Sequence, residues 1–129
     1  MSYCFSKTVN DDFDTVISNV TEELKKEGFG ILTEIDVKET LKKKLDVDFR
    51  KYKILGACNP HFAHQALLAE DSIGTMLPCN VIVQERDNGK VEVAAVDPVA
   101  SMMAIKNEKL GEVANEVREK LKKVIDNLK

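Results

Sequence analysis

The sequence predicts an α+β fold, in which a five-stranded, mainly antiparallel sheet carries two long helices on one face. Three observations lead there. Five short runs have the alternating or apolar character of strands, two longer runs repeat apolar residues at steps of three and four, and the last two strands are joined by a turn short enough to require a hairpin. At 129 residues with 43% hydrophobic side chains, the chain fits one domain spanning 1–129 and can form a core without disulfides.

Each element has its own signal. In "SYCFSKTV", Tyr3 and Phe5 alternate with Cys4, Ser6 and Thr8, as in a half-buried strand, and Asn10 stands where a helix cap belongs. Phe13, Val16, Ile17, Val20 and Leu24 then fall at helical spacing, and Gly28 closes the run after Lys25 and Lys26. "FGILTEID" reads as the second strand. "VKETLKKKL" reads as a short helix near 37–45 with Val37, Leu41 and Leu45 inward, and "KYKILGA" as the third strand. Asn59-Pro60 pairs a favoured N-cap with a favoured first helical residue, so a second short helix starts there and runs near 60–70. "NVIVQE" and "VEVAAV" flank "RDNGK", where Asn88-Gly89 accepts the positive φ values of a tight turn. From Leu110, the positions Ala114, Val117, Leu121, Val124 and Leu128 trace a long C-terminal helix.

Both faces of the sheet carry apolar residues. Ile31, Ile35, Val81, Val83, Val91 and Val93 hold one parity within their strands, and Leu32, Ile82, Ala94 and Val96 hold the other. The helices cover one face, and a homodimer is the simplest cover for the second, because a two-fold contact uses the same patch twice.

Composition narrows the partners. A net charge of -3 provides no positive field, so neither nucleic acid nor a membrane surface is expected. Lys38, Lys42, Lys43, Lys44, Arg50, Lys51 and Lys53 make a local basic patch, but Glu39, Asp46 and Asp48 interrupt it. The N-terminus lacks the apolar run of a signal peptide and no stretch is long enough to span a bilayer, which points to the cytoplasm. Three cysteines in a reducing compartment are free, buried or ligating thiols rather than a disulfide framework. The glycine-rich phosphate loops, the H-E-x-x-H zinc motif and the G-x-S-x-G nucleophile elbow are all absent.

Chemistry concentrates in "GACNPHFAHQAL", with "LPCN" downstream. On the helix after Asn59, the residues Phe62, Ala63, Ala66, Leu67 and Ala69 form the apolar arc, while His61 and His64 share the other side with Leu68. A solvated polar face explains the histidines without any function. Together with Cys58 they also supply the thiolate and imidazole donors that zinc or another transition metal takes. Cys58 lies beside a helix N-terminus, where a thiol pKa can fall, whereas Cys79 shares the parity of Val81 and Val83 and is expected to pack in the core. No C-x-x-C pair exists, so a dithiol can form only if the fold brings Cys58 and Cys79 together. Antiparallel pairing of the third and fourth strands puts both cysteines at one sheet edge, and a parallel crossover would separate them by roughly 15 to 20 Å.

With "GACNP", "LPCNVIVQE", "DNGKVEV" and "VDPVASMM" in order, nearly the whole chain resembles a prokaryotic family known as domain of unknown function three-hundred-and-two. The resemblance implies a β-α-β-β-β-β-α order, an architecture related to the TATA-binding-protein fold, homodimers, and strands three to five running as an antiparallel meander. Cys58, Asn59, Pro60, Leu77, Pro78 and Cys79 match the family pattern, whereas His61 and His64 lie outside it. The expected function is a small dimeric binding or sensing domain with its ligand site at the "CNP" helix start and the "LPC" strand start, built from Cys58, Asn59 and Cys79, with a metal held by Cys58, His61 and His64. The alternatives are a thiol redox enzyme or switch using Cys58 and Cys79, and a module that only binds other proteins.

Overall fold

The computed structural model describes residues 2–129. Five strands, β1 (Cys4–Val9), β2 (Gly30–Asp36), β3 (Tyr52–Cys58), β4 (Cys79–Glu85) and β5 (Val91–Val96), form one sheet in the order β1-β5-β4-β3-β2. Every neighbouring pair is antiparallel. The helices are α1 (Phe13–Lys26), α2 (Val37–Leu45), α3 (Pro60–Ala69), α4 (Pro98–Ser101) and α5 (Glu108–Asp126), and a 3-10 turn covers Asp71–Met76.

The long helices α1 and α5 lie on one sheet face, as the two amphipathic runs require. Val16, Val20 and Leu24 of α1 and Val117, Leu121, Val124 and Ile125 of α5 share one buried cluster with Leu55, Val81, Val83, Val93 and Ala95. A smaller cluster of Ala66, Ile73, Met102, Leu110 and Ala114 fills the space where α3 and the segment after α4 meet the N-terminal half of α5.

The structure corrects four local expectations. The cap of α1 is Asp12, not Asn10: its carboxylate accepts from the Thr15 amide at 2.9 Å and the Thr15 hydroxyl at 2.8 Å, which holds its pKa below the ordinary 3.8. In the β4–β5 hairpin only Gly89 takes a positive φ, and Asn88 instead accepts from the Lys90 amide through its side chain. Helix α2 buries none of its residues and leaves Leu45 66% exposed, because it stands at the end of the sheet rather than on its face.

The fourth correction concerns β2. Ile31 pairs with Ala57 but Thr33 pairs with Gly56, so Leu32 is an inserted residue and the strand changes parity across it. Ile31 therefore packs with the helices, while Ile35 turns to the open face at 47% exposure, opposite Ile54. The register places Ile35, Ile54, Ile82 and Ala94 in one apolar row across four strands of that face. Beside this row the buried Gln84 carbonyl accepts from Arg50 Nε and Arg86 Nη1, both at 3.0 Å, and its amide donates to Glu92 at 3.0 Å. Among the described residues no buried side-chain polar atom lacks a partner.

Candidate functional site

The antiparallel pairing of β3 with β4 sets Ala57 opposite Cys79, so Cys58 ends one strand beside the start of the next. Both thiols reach the wall of one cavity. Gly56 of β3 leaves room for side chains from both sides: a Cβ there would collide with Thr33 Oγ1 of β2 and sit 2.7 Å from Pro78 Cγ. Burial pushes the Cys79 thiol up from 9.0 to about 11, and the nearby Cys58 adds to the shift. Cys79 is thus a packed, protonated thiol, as its strand parity predicts. Cys58 is half-buried.

Asn59 occupies the cap position of α3 yet makes no side-chain cap. Its amide turns away and donates to the Glu27 carbonyl at 3.2 Å. Gly28 permits this, since a Cβ at that residue would lie 2.9 Å from the amide nitrogen. Asn59 therefore ties the end of α1 to the junction of β3 and α3, and Pro60, with no N–H of its own, leaves one fewer donor to cap.

The helix α3 divides as its spacing predicts. Phe62, Ala63, Ala66 and Leu67 face the cavity, and His61, His64 and Leu68 are exposed. His61 Nε2 lies 3.1 Å from the Gln65 amide and its ring meets Phe62 edge-on at 5.5 Å. The expected metal set is not brought together, because Cys58 lines the cavity and the two histidines project to the opposite side of the helix. Among the described residues no three His, Cys, Asp or Glu side chains converge on a point that would hold a metal ion.

The cavity has a volume of about 300 Å³. The far wall consists of Leu77 and Pro78 before β4, Pro98 and Met102 around α4, and Leu110, Val113, Ala114 and Val117 of α5. No charged side chain lines it, and the Asn59 amide and the sulfurs of Cys58, Cys79 and Met102 are its side-chain heteroatoms. Leu32, 67% exposed, and Leu67, 42% exposed, form its outer rim. The bulge in β2 is what aims Leu32 there.

The contributions of α4 and α5 went unread in the sequence, although one signal was available. Asp97-Pro98 has the same Asx-Pro form as Asn59-Pro60, and here the cap is real: Asp97 accepts from Val99 N at 3.0 Å while Pro98 opens the helix. Asp97 also accepts from Arg118 Nε at 3.3 Å, which fastens α4, and with it Met102, to α5.

Among the described residues no helix is long and apolar enough to cross a membrane. No curated protein matches the chain. The crystal structure of an uncharacterized conserved DUF302 protein from Bacillus stearothermophilus is similar to it at a TM-score of 0.90 and 28% sequence identity, over 98% of each chain. The family described as "Domain of unknown function DUF302" matches residues 5–128, and with the fold in agreement, the chain belongs to that family.

Proposed function

We propose that this protein is a binding or sensing domain for a small apolar molecule, and that the ligand occupies the cavity between β3, α3 and α5, in contact with Cys58, Asn59 and Cys79. The observation that carries the reading is the size and character of that space. Engineered apolar cavities of about 150 Å³ stay dry and bind benzene, and this one is about 300 Å³ with no charged lining. Ligand sites commonly have this form, being apolar walls with a few polar groups at fixed positions. The alternative in which Cys58 is the nucleophile and Cys79 the resolving thiol has less support, because burial pushes the Cys79 thiol up to about 11 and leaves little thiolate for the resolving step at neutral pH. A metal held by Cys58, His61 and His64 has less still, for the geometric reason given above.

The test is titration with a neutral fluorescent probe small enough for this space, such as 1-aminonaphthalene. Wild-type protein is expected to bind it saturably, and Ala63→Phe, which puts a ring into the cavity, to weaken binding at least about tenfold with an unchanged fold by circular dichroism. Absence of binding by the wild type, or wild-type affinity in the variant, overturns the reading.

The same proposal includes a second copy of the chain on the open sheet face. The apolar row of Ile35, Ile54, Ile82 and Ala94 supplies a self-complementary patch of the kind a two-fold contact uses.

A further inference from the structure

A second cavity of about 140 Å³ lies beyond the first, and the two have Met102, Leu110 and Ala114 in common as walls. It too has no charged lining residue, and it reaches the surface past Met103 and Asn115. Of the three shared residues only Met102 has a long unbranched side chain, which can change rotamer without moving the backbone. Two neighbouring uncharged spaces that share three wall residues, one of them with a flexible side chain, suit an elongated ligand better than a compact one.

We propose that the ligand is a linear, uncharged alkyl or acyl chain, and that Met102 is a movable partition that sets how long a chain the protein accepts. The proposal rests on the reading of the first cavity as a ligand site. Scaling from benzene in about 150 Å³, the first space holds about twelve heavy atoms and the second about five or six more. A chain within the first limit leaves Met102 in place, and a longer one displaces it and enters the second space. Gly111 of α5 borders that second space, and a Cβ built on it meets nothing within 4 Å, so the space can be filled from there without disturbing the first.

The experiment is displacement of the fluorescent probe by n-alkanols of six to sixteen carbons. In the wild type, affinity is expected to rise about fourfold per methylene and to keep rising beyond twelve carbons. Gly111→Leu, which replaces a helical glycine with a better helix former, is expected to bind decanol like the wild type but to gain nothing beyond about twelve carbons. Met102→Ala is expected to raise the ratio of hexadecanol to decanol affinity at least about tenfold over that of the wild type, and an unchanged ratio overturns the partition. If Gly111→Leu retains the wild-type profile for long chains, the partition is overturned while the first cavity stands as a site. If the probe binds but no alkanol displaces it, the chain-like ligand is overturned, and if neither probe nor alkanol binds the wild type, the underlying site reading falls with it.

Discussion

Cys79 shows how much one residue's surroundings decide. Its parity with Val81 and Val83 was legible in the sequence, and the structure buries it with both of them. Burial has a pH consequence. The folded thiol stays protonated up to about 11 whereas the unfolded one ionises near 9.0, so above pH 9 the unfolded chain has released a proton that the folded chain retains. Stability therefore falls as pH rises from 9 to 11, by about 2–3 kcal/mol in all. Urea unfolding at pH 8 and pH 10.5 is expected to show this loss in the wild type and a smaller one in Cys79→Ala; equal losses would refute the assignment. Asn59 and the histidines were less legible. Whether an Asx residue caps its own helix or reaches elsewhere depends on what faces it, and the partner here, the Glu27 carbonyl behind a glycine, lies 32 positions away in the chain. The histidines carried no signal beyond their spacing, which is the same for a solvated face and for a ligand pair.

At the scale of elements, Asp97 joins three pieces. Its carboxylate caps α4 and holds Arg118, whose guanidinium lies 5.1 Å above the Phe5 ring of β1. Asp97→Ala removes the cap and leaves the guanidinium without this partner, which is expected to cost about 2–3 kcal/mol in a urea melt; a change below about 0.5 kcal/mol would mean that α4 is held by packing alone. The long helices were legible because five or more apolar residues repeat at one period, so that a single exception does not hide the pattern. Helix α4 and the Asp71–Met76 turn span four and six residues, too few to show any period. The bulge was invisible for another reason. An inserted residue looks like every other residue in the run, and only the partner strand reveals where the count breaks, so Ile35 was assigned to the wrong face.

At the scale of the whole molecule, the helices cover one face of the sheet and leave the row of Ile35, Ile54, Ile82 and Ala94 on the other. Sedimentation equilibrium is expected to report a dimer, and Ile54→Glu, which places a charge in the middle of the row, to shift it to monomer by at least about tenfold in dissociation constant. A monomeric wild type would sink the proposed pairing and leave the cavity unaffected. The inserted Leu32 in β2 bears on this as well. An outermost strand offers its free amides and carbonyls to any passing chain, and a regular one can be lengthened sideways into a fibril. The irregularity at Leu32 breaks that row of donors and acceptors. The same residue that helps to frame the cavity thus makes its side of the sheet a poor template for sideways growth, so an exposed border can persist at high concentration without seeding aggregates.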